Sequence, residues 1–309
     1  MASERIYSWL NRSTEYAENQ SSIVFSAVVS MADNVIASIN CLQMNAERVA
    51  RYIAGWMADY LCDAGARGFV VGVSGGIDSA VVSSLAALSG CRTLCVTLPI
   101  HQAASQVDRA AEHVSRLAER YANVETADAD LTDAYEAFRA ALTPSFREPL
   151  PQATVDMAGA NARSRLRMTA LYYYAGMYNM LVAGTGNKIE DFGVGFFTKY
   201  GDGGVDISPI ADLTKTEVYA LGDWLGVPAS IMEAPPTDGL FGDDRTDEQQ
   251  IGATYAELEQ AMHWFETGVE PALSDVRGRE VYDIFVRRNR ANRHKMEPVP
   301  VCRIPDIVR

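Results

Sequence analysis

The hexapeptide Ser74-Gly75-Gly76-Ile77-Asp78-Ser79 places two hydroxyls, two glycines and a carboxylate directly after the apolar run Phe69-Val70-Val71-Gly72-Val73. A strand that feeds a glycine loop and then a helix leaves backbone N–H groups without intrahelical partners, and the helix dipole adds partial positive charge there. The predicted ligand is an anion. Gly75 and Gly76 lack Cβ, so both can take up φ > 0 and let the backbone approach a phosphate closely. The loop is neither a Walker A sequence nor Gly-x-Gly-x-x-Gly. In place of a lysine it offers Ser74 and Ser79 as hydroxyl donors and Asp78 as a carboxylate. A tight turn before a helix-start aspartate is the plainer reading of the same residue types.

A second oxygen-rich stretch, Gly184-Thr185-Gly186-Asn187-Lys188-Ile189-Glu190-Asp191, follows the short apolar run Met180-Leu181-Val182-Ala183. Magnesium takes hard oxygen ligands, usually one or two carboxylates completed by phosphate oxygens and water, and Asp78 with Glu190 can supply such a pair. Glu190 is otherwise an ordinary acid at a helix start. Phe196 to Asp206 then mixes aromatic, cationic, glycine and acidic residues without a regular period, which points to a functional loop. Arg163, Arg165 and Arg167 stand near the predicted start of a helix, where the dipole disfavours cations; Arg163 and Arg167 share a face and Arg165 points elsewhere. The run Arg287 to Lys295, with His294, reads as a basic tail or anion patch on an acidic chain.

These residues need a scaffold that gathers strand ends. Apolar spacing predicts a helix over 35–61 with Trp56 and Tyr60 in the core, and further helices over 77–88, 103–121, 132–142, about 159–177, 216–225 and about 279–289. Thr246 with Gln249 forms a capping signature before a helix carrying Ile251, Tyr255 and Leu258. Strands are predicted at 69–71, 93–100, 124–127 and 180–183. Strands alternating with helices give a doubly wound parallel sheet with flanking helices, an α/β fold whose ligands sit beyond the carboxyl ends of the strands. The expected organisation is a single domain over 36–309, preceded by an N-terminal helical extension, an arm of residues 1–35 to which no chemistry is assigned.

The chain has 309 residues, 48% of them hydrophobic, ample for a packed core. With 40 acidic against 27 basic residues its net charge is -13, which disfavours nucleic acid and anionic membrane as general partners. Five cysteines without a Cys-x-x-Cys pair suggest neither a disulfide framework nor a zinc site and fit a reducing cytoplasm, with Cys91 and Cys95 as core residues. No secretory leader is expected, and the apolar stretch 23–39 is too short and too polar to span a bilayer.

In order along the chain, the 72–79 loop, the string Asn161 to Met168, Gly184-Thr185-Gly186-Asn187-Lys188 and Phe197-Thr198-Lys199-Tyr200-Gly201-Asp202-Gly203 together resemble ammonia-dependent NAD synthetase, one of the ATP pyrophosphatases with an adenine nucleotide alpha hydrolase-like fold. The resemblance covers residue 40 or so to the end. It implies amidation of nicotinic acid adenine dinucleotide by ammonia through an acyl adenylate, with release of AMP and pyrophosphate. It implies ATP contacts at Gly72, Val73, Ser74, Gly75, Gly76, Ile77, Asp78, Ser79, Thr185, Lys215 and Thr237, and catalytic roles for Ser74, Asp78 and Lys215. Magnesium falls to Asp78 and Glu190, and the dinucleotide (deamido-NAD) to Arg165, Lys199, Asp206, His294 and Lys295. It further implies a homodimer and flexible loops near 144–158 and 237–246 that close over the adenylate and keep water out.

The segment between Glu190 and Lys199 is one residue longer than in the bacterial forms with which it compares. Residues 1–35 have no counterpart, and no glutaminase domain is expected, so ammonia would come from solution or from a separate protein. A tRNA-modifying ATP pyrophosphatase is the alternative, against which stand the net charge and the lack of Cys-x-x-Cys. A nucleotide-binding regulator without catalysis is disfavoured by the retention of Asp78, Glu190 and the basic residues.

Overall fold

The computed structural model describes residues 44–142, 150–237, 239 and 246–309. Phe69–Gly72 (β1), Thr93–Thr97 (β2), Val124–Asp128 (β3) and Leu181–Val182 (β4) form a parallel sheet in the order β3-β2-β1-β4. Phe69, Val70 and Val71 are wholly buried, as a central parallel strand covered on both faces requires. Strands β2 and β3 lie to one side of β1 and β4 to the other, so β1 and β4 flank the switch point where an open α/β sheet holds its ligand.

The helices of the first half are Ala46–Asp63 (α1), Ile77–Leu88 (α2), Ala104–Arg120 (α3), Thr132–Ala141 (α4) and Gln152–Tyr178 (α5). On one face of the sheet Val70, Leu94, Val96 and Val182 pack with Ala175 of α5; on the other Val73 and Cys95 pack with Ala87, Ala110, Val114 and Leu117 of α2 and α3. Alternation along β2, with Leu94 and Val96 opposite Cys95, distributes one strand between both cores. The doubly wound arrangement read from the sequence is the one observed. Cys95 is wholly buried and Cys91 partly so.

Lys215–Leu225 (α6), Ala229–Met232 (α7), Asp247–Ile251 (α8), Tyr255–Thr267 (α9) and Val276–Met296 (α10) complete the chain's α-helices among the described residues. Thr214 with Glu217, Thr246 with Gln249 and Thr254 with Glu257 each form a reciprocal capping box, which sets the starts of α6, α8 and α9. A third core joins α9 and α10 through Leu258, Ala261, Val281 and Phe285 to Ile189 and Val194.

Several boundaries differ from expectation for identifiable reasons. The first helix begins at Ala46; residues 35–43, the arm and its boundary lie outside the described residues. Its core stripe is Ala50, Ile53, Ala54, Met57 and Leu61. Trp56 and Tyr60, expected in the core, are 38% and 43% exposed and pair with each other at 5.7 Å between centroids. They sit one residue off the stripe, about 100° round the helix. Helix α5 starts at Gln152 behind Pro151, so the three arginines lie in mid-helix, away from the dipole end that made their placement look costly. Residues 152–158 are therefore helical, while 144–149 of the expected flexible loop, with 238 and 240–245 of the second one, lie outside the described residues. Gly252, at φ +92, divides the single helix expected around Ile251 and Tyr255 into α8 and α9. The basic run is not a tail: α10 continues through it to Met296, and Arg293, His294 and Lys295 occupy its last turn, where the dipole favours cations.

Candidate active site

The chain leaves β1 at Gly72 and enters α2 at Ile77. Gly75 has φ +83, and a Cβ there would lie 2.4 Å from the carbonyl oxygen of Gln106, so the loop fits against α3 only with glycine. Gly76 departs from expectation: at φ -97 and ψ 162 it is an extended cap residue. Ser79 departs as well. Its hydroxyl is almost wholly buried, donates to the Gly76 carbonyl at 3.0 Å and accepts the Ser74 N–H at 3.2 Å. That proton holds the loop together and is not offered to a ligand. Ser74 is exposed, with its Oγ 3.2 Å from that of Ser79.

Asp78 stands in the first turn of α2. Its Oδ2 accepts from Lys215 Nζ at 2.6 Å and its Oδ1 from Asn187 Nδ2 at 3.1 Å. Glu190 Oε1 accepts from the same Nζ at 3.0 Å and from Tyr255 Oη at 2.5 Å. Lys215 is buried at the first position of α6, held there by the Thr214 capping box, and its Nζ lies 4.7 Å from the Tyr255 ring centroid. Burial opposes the ammonium, yet Asp78 and Glu190 together hold the Lys215 pKa above its ordinary value. Burial pushes Glu190 upward against the pull of Lys215, and burial with the Glu190 charge pushes Tyr255 upward too. Asp191 is raised to about 8, first by burial and then by Glu190, Asp202 and Asp78; its carboxylate fills the space that a Cβ on Gly186 would occupy.

Ile189–Val194 forms a π-helix, whose wider turn takes up one residue more than an α-turn, and it ends at Gly195 with φ +63. Asn187 starts it: its Oδ1 accepts the N–H groups of Ile189 and Glu190, each at 3.1 Å. One asparagine thus fixes both Glu190 and Asp78.

A cavity of about 290 Å³ opens at the carboxyl ends of β1 and β4. It is lined by the whole 72–79 loop and by Thr185, Glu190, Lys215 and Thr237, so every position expected to contact ATP or metal, from four separate segments, borders one space. Gln102, Gln106 and Arg109, which sequence reasoning left without a role, line it as well. Gln106 and Arg109 stand three apart on α3, a spacing that could have found them, whereas Gln102 precedes the helix. Tyr255 and the bridging role of Asn187 had no local signal, because their partners lie 65 and 109 residues away.

The positions expected to hold the dinucleotide do not line this cavity. Four of them form a separate cluster. Arg165 Nε donates to the Lys199 carbonyl at 3.2 Å, Lys199 Nζ donates to the His294 carbonyl, and Lys295 Nζ donates to the carbonyls of Gly195 and Phe197 at 2.8 and 2.7 Å. Asp206 stands apart from them, accepting from Tyr172 Oη at 3.0 Å and from the Val182 N–H at 2.8 Å. Arg165 points away from the other two, as expected, while Arg163 and Arg167, expected on one face, have different partners: Arg163 lies over the Tyr135 ring and Arg167 donates to the Leu98 carbonyl and to Gln102 Oε1, both at 2.9 Å.

Comparison with known proteins agrees with this geometry. The NH(3)-dependent NAD(+) synthetase of Carboxydothermus hydrogenoformans is 35% identical over 267 residues, 86% of this chain and 99% of that one. The solved structure of NMN synthetase from Francisella tularensis is 33% identical with a TM-score of 0.72, covering 85% of this chain and 100% of that one. NAD+ synthetase from Burkholderia pseudomallei is 32% identical with a TM-score of 0.62, covering 82% and 90%. The family model described as NAD synthase matches residues 49–299, a span that holds every residue of the cavity and of the basic cluster, and the chain belongs to that family.

Proposed function

We propose that this chain is an AMP-forming carbon–nitrogen ligase that amidates nicotinic acid adenine dinucleotide to NAD with ATP and ammonia. The observation that carries the reading is the union, in one cavity at the switch point, of the 72–79 anion loop with the Asp78–Lys215–Glu190 constellation. A carboxylate is a poor electrophile until one oxygen becomes part of a leaving group. In the first step a nicotinate oxygen bonds to the α-phosphorus of ATP, and the bond from that phosphorus to the bridging oxygen breaks. Its electron pair leaves with pyrophosphate. In the second step ammonia adds to the acyl carbon, AMP departs with the C–O electron pair, and the nitrogen gives up a proton. The protein's part is positioning and charge neutralisation.

In this reading Ser74 and the loop N–H groups hold the phosphates, Thr185 and Thr237 border the nucleotide, and Lys215 meets phosphate charge. Asp78 and Glu190 fit magnesium: both are carboxylates, and one Nζ lies within 3.0 Å of each. Bound there, the ion would neutralise charge on the phosphates. The cluster of Arg165, Lys199, His294 and Lys295, with Asp206, is assigned to the dinucleotide. A homodimer belongs to the same reading, supported by the exposed apolar side chains Tyr173 and Met177, one turn apart on α5; sedimentation would test it. So does a cytoplasmic location, in keeping with cysteines unpaired among the described residues. No helix of the described residues is long and apolar enough to cross a membrane.

Purified protein with magnesium, ATP, the dinucleotide and ammonium is expected to form NAD, AMP and pyrophosphate in equal amounts. ADP and phosphate as products would sink the adenylate route. The likeness to an NMN synthetase supports a second reading, in which the acid amidated is the mononucleotide. Parallel assays on the two acids decide by the ratio of their kcat/KM values.

A further inference from the structure

The first turns of α3 lie against the glycine loop and have no part in the scheme above. Three cations line the cavity, and their surroundings differ. Lys215 is shared by two carboxylates. Arg167 is engaged with the Leu98 carbonyl and with Gln102, whose amide in turn donates to Gln106. Arg109 makes a single hydrogen bond among the described residues, from Nε to the carbonyl of Gly75 at 3.2 Å, and no ion pair. That bond anchors the guanidinium to the loop and leaves its four Nη hydrogens for a ligand.

We propose that Arg109 is a catalytic residue of the adenylation step, gripping the oxygens of the departing pyrophosphate with its two Nη groups while Nε stays on Gly75. The proposal rests on the AMP-forming reading above. When the bond between the α-phosphorus and the bridging oxygen breaks, the electron pair passes to pyrophosphate, and that group's negative charge grows. A cation that already has a counter-charge gains little from meeting it. Arg109 has none, and its fork matches the geometry of two phosphate oxygens. Its attachment to Gly75 places it on the loop that the phosphates are assigned to, with little to reorganise as charge develops.

Arg109→Gln separates the two halves of this role, because the glutamine amide nitrogen is as many bonds from Cα as Nε and can keep the Gly75 contact while the fork is lost. Inhibition by magnesium pyrophosphate is expected to weaken by about ten- to a hundredfold, with kcat falling at least as far, as befits the loss of charged hydrogen bonds. AMP binding and thermal stability should stay as in the wild type. Arg109→Lys, which keeps the charge without the fork, should fall between, and serves alone if the glutamine variant does not fold. Guanidinium added to Arg109→Ala should restore part of the rate. Unchanged pyrophosphate inhibition, or equal loss of AMP and pyrophosphate binding, would overturn the proposal. If the wild type releases no AMP, the adenylation reading falls and this one with it; if the wild type does and Arg109→Gln equals it, this proposal alone falls.

Discussion

At the carboxyl ends of β1 and β4 a buried lysine divides its charge between two carboxylates, whereas around Lys199 the cations Arg165, Lys199 and Lys295 rest on backbone carbonyls and make no ion pair among the described residues. A carbonyl dipole orients a cation without cancelling its charge. A carboxylate cancels it. The first corner therefore carries one positive and two negative charges, held with the Tyr255 hydroxyl at 2.5 to 3.0 Å before any substrate arrives. The second keeps positive charge available on a protein whose net charge is -13. That contrast suits a division of labour in which one corner carries out chemistry on phosphates and the other holds an anionic substrate.

The comparison can be broken at either corner. The largest effect is expected for Asp78→Ala, which removes a proposed metal ligand and leaves Lys215 with one carboxylate partner; AMP formation should fall by at least about a thousandfold, and a near-normal rate at saturating magnesium would take this corner out of the chemistry. Tyr255→Phe keeps the ring over Lys215 and deletes the hydroxyl on Glu190. Losing such a support for a ligand should cost about ten- to a hundredfold in Mn2+ affinity, read by electron paramagnetic resonance with ATP present. An unchanged affinity would make Tyr255 a packing residue only. Lys199→Gln should act differently, raising KM for the dinucleotide about tenfold with little change in kcat, because it removes binding common to ground and transition states. A loss confined to kcat would erase the distinction between the corners.

The last prediction concerns stability and the support beneath the glycine loop. His113 of α3 is buried with its Nε2 2.9 Å from Ser83 Oγ, and Ser83 donates to the Ser79 carbonyl at 2.7 Å. Burial lowers the His113 pKa to about 4. Unfolded, the imidazole titrates near its ordinary value, so between that value and 4 the unfolded chain binds more protons. Stability is unaffected above about pH 6.5 and falls by up to about 3 kcal/mol as pH drops towards 4. Denaturant melts of His113→Gln should lack that acid-side decline; an unaltered slope would show that carboxylates alone cause it.

Local chemistry carried a long way in this chain. The 72–79 loop was legible because strand, glycine and helix signals lie within twelve residues and dictate their own geometry. The Thr246–Gln249 box was legible for the same reason. Glu190 could be nominated as a partner of Asp78 only by chemical type. Helix limits were less legible: Gly159 and Ala160 read as a start, yet α5 begins at Gln152 behind Pro151 and runs through exposed residues 152–158, whose apolar periodicity is weak. The aromatic pair Trp56 and Tyr60 failed because apolar character alone does not say which side of a helix meets the core.

By itself the sequence determined the order of strands and helices, the anion loop, the acidic balance of charge and the set of polar residues from which a site could be built. Each of these is written in neighbouring residues, through backbone geometry, periodicity or simple counting. Tertiary structure alone decided that Lys215 stands between Asp78 and Glu190, that Tyr255 and Asn187 complete that corner, and that Arg109 reaches the loop from α3. It also decided that Ser79 spends its proton inside the loop and that the basic cluster lies off the cavity. Such facts depend on distances between segments tens to more than a hundred residues apart, which the packing of helices on both faces of a parallel sheet sets and no local pattern encodes.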